Sequence, residues 1–310
     1  MRVLVTGGAG FIGSHLVDRL VGDGHDVVVV DDLSHGSRAN LESALRASCE
    51  LETLDVTGPE FGELVARVRP EVIFHLAAQI DVRASVADPV HDAAINVLGT
   101  VRALEAARAA GTRKVVLASS VAIYGTVQRL PVAEVDPTDP LSPYAVSKLT
   151  GESYIRQFHQ LHGLDGTTLC FGNVYGPRQD PHGEAGVVSI FTDALLAGKP
   201  TTVFGDGGNT RDYVYVGDVV DALVRAGGET GVARRYNIGT GVPTSDVELH
   251  RAVAAAAGSD SEPGFAPQRP GDLRAMTLDS TRATTELGWR ANTPLASGIE
   301  QTVAWVRQRA

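Results

Sequence analysis

The stretch Ser142–Lys148 reads SPYAVSK and sets a phenol and an ammonium four positions apart. In a helix that spacing puts Tyr144 and Lys148 on one face, one turn apart. Ser142 suits a helix N-cap and Pro143 the first helical position, so a helix is expected to begin here. Upstream, ASSVAIYG places Ser119 and Ser120 at the end of a β-branched run. A free phenol has a pKa of about 10 and is a poor base at neutral pH; lowering it by about three units takes roughly 4 kcal/mol of extra phenolate stabilisation. Lys148 and a second positive charge can supply that in a water-poor site. Ser120 would hydrogen-bond the reacting oxygen and stabilise the charge that develops there. Strand-end serines and Tyr–Lys pairs are each common by themselves; the weight lies in their conjunction.

The second positive charge is suggested by the N-terminus. TGGAGFIG follows a short apolar run and opens an amphipathic segment, with Gly7, Gly10 and Gly13 spaced three apart. Missing side chains there allow a tight turn, close approach of a pyrophosphate and close helix–strand packing. The helix start adds free N–H groups and partial positive charge. Asp31 stands eighteen residues past Gly13, at the end of the next run. A carboxylate there accepts from an adenosine ribose and repels a 2′-phosphate, which predicts NAD over NADP. Asp32 reads equally as a solvated loop charge, and Asp55 as an adenine contact or a plain strand-end turn. With an oxidised nicotinamide ring beside Tyr144, the chemistry becomes oxidation of a secondary alcohol.

The elements that must position these groups are legible in the first half. RVLVTG, DVVVVDD, EVIFHLAA and RKVVLASS read as buried parallel strands, and amphipathic segments ending near glycines lie between them. The alternation predicts an α/β fold, a doubly wound parallel sheet of Rossmann type. Beyond Thr167 the pattern loosens: LCFGNVYGPRQDPHGEAG reads as irregular loop, VVSIFTDALLAGK as helix, FGDGGNTRDYVYV as turn-rich, YNIGTG as a strand, APQRPGDLRAM as loop and GIEQTVAWVRQR as a terminal helix. The expected division is a dinucleotide-binding domain over 1–172 and a smaller α/β substrate-binding lobe over 173–310. A segment near 213–240 is expected to return to the first sheet.

Bulk properties narrow the partners. A length of 310 residues with 43% apolar and 21% charged residues suits a soluble α/β protein. A net charge of −10 (27 minus 37) disfavours nucleic acid and anionic membrane as partners. Cys49 and Cys170 stand far apart and in no metal-ligand spacing. No metal site and a reducing, cytoplasmic location are therefore expected. The N-terminal apolar run is too short for a secretion signal, and no run approaches bilayer length.

TGGAGFIG, HLAAQ, ASSVAIYG, SPYAVSK, GNVYGPRQ, FGDGGNTRDYVYVGDVV and RPGD together resemble the extended short-chain dehydrogenase/reductase family. Within it the chain is similar to nucleotide-sugar epimerases of the UDP-glucose 4-epimerase type, from about Arg2 to Trp305. The resemblance implies NAD as cofactor, a UDP-sugar as substrate and a homodimer, with residues 96 to 110 and 143 to 162 pairing across a two-fold axis. It implies catalysis by Ser120, Tyr144 and Lys148. Implied cofactor contacts are Gly7, Gly10, Phe11, Ile12, Gly13, Asp31, Asp32, Ser34, Asp55, Val56, Leu76, Ala77, Ala78, Gln79, Asn96, Ser119, Tyr144, Lys148 and Phe171. Ser120, Tyr144, Asn173, Val188, Val203, Phe204, Arg211, Arg269, Asp272 and Met276 would meet the substrate. Arg211 and Arg269 also make physical sense alone, because guanidinium forks pair with a diphosphate.

Two departures matter. Dehydratases of the family carry an Asp-Glu pair where this chain has Val121 and Ala122, so elimination of water is disfavoured. Epimerases often show Arg-Tyr-Phe-Asn where this chain reads Cys170, Phe171, Gly172, Asn173. The implied reaction is inversion at C4 of UDP-glucose or UDP-galactose through a 4-keto sugar. UDP-glucuronic acid, with Arg83 or Arg178 meeting its carboxylate, and UDP-N-acetylhexosamine remain alternatives; Met276, slimmer than a tyrosine ring, would tolerate the bulk of the latter. A nucleotide-sugar reductase or dehydrogenase is the rival enzyme class.

Overall fold

A computed structural model describes residues 1–181, 186–269 and 271–309. The parts of the two sequence-read loops that fall on 182–185 and on Pro270 lie outside the described residues. In chain order the first half comprises β1 (Arg2–Thr6), α1 (Phe11–Gly22), β2 (Asp26–Asp31), α2 (Glu42–Arg46), β3 (Glu50–Thr53), α3 (Pro59–Val68) and β4 (Val72–His75). It continues with α4 (Val82–Ala87), α5 (Pro89–Ala93), α6 (Gly99–Ala110), β5 (Lys114–Ser120), α7 (Pro143–His162) and β6 (Asp165–Phe171). A π-helical turn, Ala94–Leu98, joins α5 to α6. The second half holds β7 (Asn173–Tyr175), α8 (Val187–Leu196), β8 (Thr202–Phe204), β9 (Thr210–Tyr215), α9 (Val216–Ala226), β10 (Arg234–Ile238), β11 (Pro243–Ser245) and α10 (Asp246–Ala257). β12 (Gly264–Ala266), α11 (Thr281–Leu287) and α12 (Leu295–Arg307) complete it.

Seven strands form a sheet in the order β10-β6-β5-β4-β1-β2-β3, and every pair in it is parallel. This is the doubly wound Rossmann-type architecture. Strand order reverses between β1 and β4, and in such sheets ligands bind outside the carboxyl ends at that switch point. Alternation along each strand feeds two cores. Val3 and Val5 of β1 face one side with Leu16, Val17, Val219 and Leu223. Leu4 faces the other with Phe61, Leu104 and Ile155.

The smaller lobe packs around Tyr175, Val188, Phe191, Val203, Tyr213, Leu249 and Ile299. Its three-stranded sheet runs β11-β9-β7, and β12 pairs with β8. The structure corrects the loop reading of LCFGNVY. Leu169–Phe171 complete β6, and Asn173–Tyr175 form β7. The break between them is Gly172, where a Cβ would lie 2.9 Å from the Asp212 carbonyl oxygen. Sequence composition could not show this crossing, because it depends on β9 lying alongside. The turn-rich TRDYVY likewise becomes β9, paired with β7 and β11 on either side.

Candidate active site

The glycine turn after β1 has three different steric reasons. Gly7 has φ +69°, and a Cβ on it would lie 2.7 Å from the Ala77 nitrogen. A Cβ on Gly13 would lie 2.1 Å from the Gly7 oxygen, so α1 can approach β1 only without it. A Cβ on Gly10 would meet only that same oxygen, at 3.3 Å, so the turn's outer side stays open. Among the described residues no side chain caps the start of α1. Its first N–H groups are therefore available to an anion, and Phe11 and Ile12 flank them half-buried. These features fit a dinucleotide pyrophosphate.

Asp31 ends β2 with its carboxylate buried. Oδ2 accepts from Ala9 N and Oδ1 from Leu33 N, both at 2.9 Å. Burial raises its pKa, while the Leu33 and Ala9 N–H groups work the other way. Each oxygen keeps a lone pair for a further donor. Gly36, which the sequence reading missed, keeps room beside it: a Cβ there would lie 2.7 Å from Oδ1. Asp32 accepts from Ser34 N and Oγ at the surface. Asp55 is exposed and accepts from Thr57 N in an Asx turn, and Val56 is buried.

Leu76, Ala77 and Ala78, half-buried, continue from β4 toward buried Gln79. Asn96, on the π turn, brackets Gln79: Oδ1 accepts from its N at 2.9 Å, and Nδ2 donates to its O at 3.0 Å. The extra residue of a π turn re-aims a side chain in this way. Asn96 Nδ2 also reaches Asp92 Oδ1 at 3.0 Å and Ser147 Oγ at 3.1 Å. Gln79 Nε2 donates to the same Asp92 oxygen at 3.0 Å.

Helix α7 starts where SPYAVSK predicts. Ser142 Oγ caps Ala145 N at 3.2 Å, with Pro143 in the first turn. Ser85 Oγ on α4 takes the Tyr144 N–H at 3.2 Å. That contact was invisible in the sequence, because α4 meets α7 only through the tertiary fold. Tyr144 is half-buried and Lys148 buried, with Lys148 Nζ 5.8 Å from the Tyr144 ring centroid and donating to Ala118 O at 3.1 Å. Burial pushes the Tyr144 phenol up to about 12; the Ser120 hydroxyl pulls against this, and Cys170 and Asp92 add to it. Burial lowers Lys148 to about 8, opposed by Asp92 and Glu152. The protein's own groups therefore keep the phenol protonated, and a further positive charge is needed to make it a base.

The two serines ending β5 have different partners on α7. Ser120 Oγ accepts from Ala122 N at 3.2 Å, which orients it toward Tyr144. Ser119 Oγ donates to Glu152 Oε1 at 2.6 Å. Its hydroxyl is thus committed to α7, which leaves the backbone of Ser119 for the expected cofactor contact. Glu152, one turn past Lys148, also pairs with Arg235 at 2.5 Å. The Tyr144–Lys148–Glu152 spacing of four was legible in the sequence and went unread.

In the smaller lobe, Arg269 stacks its guanidinium 3.6 Å from the Phe204 ring centroid. Arg211, Arg269 and Arg274 all act electrostatically on Asp246, as does Asp272, so the two expected arginines share one neighbourhood with these carboxylates. Asn173 is exposed at the start of β7. Three residues expected at the substrate have buried side chains. Val188 and Val203 pack into the lobe core. Met276 is buried with Ile123, Tyr124, Cys170 and Leu278. Their apolar side chains close cores. Phe171 is likewise packed against the sheet core, 6% exposed. Arg178 Nη2 is held by Asp18 at 2.6 Å, and its Nη1 is buried with no hydrogen-bond partner among the described residues. Among the described residues, no group of three or more His, Cys, Asp and Glu is arranged to hold a metal ion.

A Rossmann-type sheet with an open glycine turn and a Ser–Tyr–Lys cluster defines a dinucleotide-dependent enzyme that acts at a hydroxyl-bearing carbon. The chain belongs to the NAD dependent epimerase/dehydratase family, whose model matches residues 3–239. It is 55% identical, over the full length of both chains, to the UDP-glucose 4-epimerase of Mycolicibacterium smegmatis. A solved structure of a UDP-glucose 4-epimerase with UDP-glucose from Thermotoga maritima superposes with TM-score 0.96 at 43% identity, covering 100% of this chain and 99% of that one. The Thermus thermophilus UDP-glucose 4-epimerase, solved in complex with NAD, gives 0.92 at 43% identity, with both chains covered completely.

Proposed function

We propose that this chain inverts C4 of a UDP-hexose, interconverting UDP-glucose and UDP-galactose, with NAD as cofactor. The observation that carries the reading is the convergence of Ser120, Tyr144 and Lys148, with apolar Val121 and Ala122 where water-eliminating relatives need an acid and a base. The activity named for the 55% identical relative supports it. The glycine turn and the start of α1 hold the pyrophosphate, and Asp31 holds the adenosine ribose. Lys148 holds the nicotinamide ribose and favours phenolate. When bound, NAD supplies the hydride acceptor and the positive charge that the Tyr144 phenol lacks in the protein alone. Tyr144 takes the C4 hydroxyl proton while Ser120 holds that oxygen. Arg211 and Arg269 anchor the diphosphate as the 4-keto sugar turns its other face, and Tyr144 then returns the proton.

Glucuronic acid is the weaker reading, because the 55% identical relative is named for UDP-glucose. The division at 172/173, with β10 returning to the first sheet, belongs to the same proposal: the domain across the switch point holds NAD, and the smaller lobe holds the nucleotide. A homodimer is also part of it. Val90, Leu98 and Val146 are 78%, 57% and 49% exposed on mutually packed elements of α5, the π turn and α7. A monomer at micromolar concentration in sedimentation would count against that. No described helix is long and apolar enough to cross a membrane. A cytoplasmic location fits two free, buried cysteines.

The test is incubation with UDP-glucose without added NAD, with the epimers separated. UDP-galactose should form, and Tyr144→Phe should lower the rate by about 10²–10⁴ while NAD still co-purifies. Net NADH without the epimer would overturn the reading in favour of a dehydrogenase.

A further inference from the structure

The buried carboxylate of Asp92 is not used by the steps above. Asp92 lies on α5, four residues before Asn96, and is 1% exposed. Oδ1 accepts from Gln79 and Asn96, and Oδ2 is buried with no hydrogen-bond partner among the described residues. A buried carboxylate oxygen without a donor is costly, and an apolar residue would avoid the cost. The connection does not stop at Asn96. Its Nδ2 reaches Ser147 Oγ, which donates to the Tyr144 carbonyl at 2.9 Å. One carboxylate thus stands between the loop after β4 and the turn of α7 that carries Tyr144 and Lys148.

We propose that Asp92 is a positioning residue: its carboxylate is the buried counter-charge of the Tyr144–Lys148 pair and the hub that ties their helix to the cofactor trough. This rests on the reading of Tyr144 as the base. The charge of Asp92 raises the proton affinity of both Tyr144 and Lys148. Glu152 also favours the charged form of Lys148, so the particular effect of Asp92 is to keep the phenolate basic enough to take a proton from a sugar hydroxyl. The other groups facing the pair do not replace it. Glu152 on α7 is bonded to Arg235 of β10. His75 on β4 is held neutral by burial, its pKa pushed down to about 3, and the Cys170 thiol on β6 is pushed well up by burial. On α4, Asp81 caps Ala84 and Arg83 is exposed; Asp88 and His91, at the start of α5 and on it, are also exposed.

The test reads Tyr144 ionisation directly in the NAD-loaded protein. The pH titration of phenolate absorbance is compared with that of Tyr144→Phe, and the difference isolates this ring. The pair is then repeated with Asp92→Asn. The midpoint should fall by about one pH unit, because one nearby negative charge is gone. Asp88→Asn, which removes an exposed carboxylate next to the same helix, should leave it in place. A folded Asp92→Asn protein with lowered thermal stability and an unmoved midpoint would make Asp92 merely structural and overturn the proposal. If Asp92→Asn does not fold, the smaller neutral Asp92→Ser carries the same expectation. Absence of UDP-hexose inversion would sink the proposed function yet leave this spectroscopic result standing, so the two failures are distinguishable.

Discussion

Lys148 Nζ lies 5.8 Å from the Tyr144 ring centroid and is fixed by a 3.1 Å hydrogen bond to the Ala118 carbonyl of β5. The ammonium is therefore tied to the sheet as well as to its own helix. Its distance from the phenol is set by how α7 packs on β5.

That relationship gives the first prediction. Lys148→Met removes the charge that favours phenolate, and with it the bond to Ala118. Turnover at neutral pH should fall by about a hundredfold or more. The acid limb of the kcat–pH profile should move to higher pH, because the phenol then holds its proton more tightly. An unshifted limb with reduced kcat would show that Lys148 acts by some means other than charge.

Two glycines of α1 give opposite expectations. Gly13→Ala places a Cβ 2.1 Å from the Gly7 oxygen and 2.8 Å from the Gly8 Cα, both backbone atoms. The turn must shift, at a cost of about 1–3 kcal/mol, and NAD retention should fall with it. Gly22→Ala meets nothing within 4 Å among the described residues, at the end of the same helix. It should be neutral or stabilising by up to about 1 kcal/mol. Thermal denaturation and NAD content of the purified variants decide both. Equal behaviour of the two would remove the steric account of the turn.

His75 makes stability depend on pH. Its Nδ1 shares a 2.8 Å hydrogen bond with Thr6 Oγ1 and its Nε2 is buried without a partner among the described residues. Burial, with a smaller contribution from Lys148, pushes it down to about 3 from 6.5. Between those values the unfolded chain takes up a proton that the folded chain refuses. The contribution to stability is whole above 6.5 and declines as pH falls toward 3, by up to about 1.4 kcal/mol per unit. Urea denaturation of the protein and of His75→Gln across this window measures it. The variant should show a shallower decline, and parallel curves would discount His75.

Much of the reading needed only local chemistry. Gly7, Gly10 and Gly13 announce their turn because a missing side chain is a property of the residue itself. The start of α7 is legible because Ser142, Pro143 and Ala145 are neighbours in the chain. Tyr144, Lys148 and even the unread Glu152 share a helical face by spacing alone. Val121 and Ala122 excluded an acid–base pair by their type.

Tertiary structure decided which groups are free to act. Ser119 and Ser120 are identical in sequence terms, and only the packing of α7 gives one hydroxyl to Glu152 and turns the other to Tyr144. Val188, Val203 and Met276 were expected at the ligand, and their apolar side chains went into cores. Asn96 meets Ser147, and Ser85 meets Tyr144, only when α4, the π turn and α7 pack together. Such contacts join residues distant in the chain, and their energy comes from burial and complementarity that no local spacing encodes.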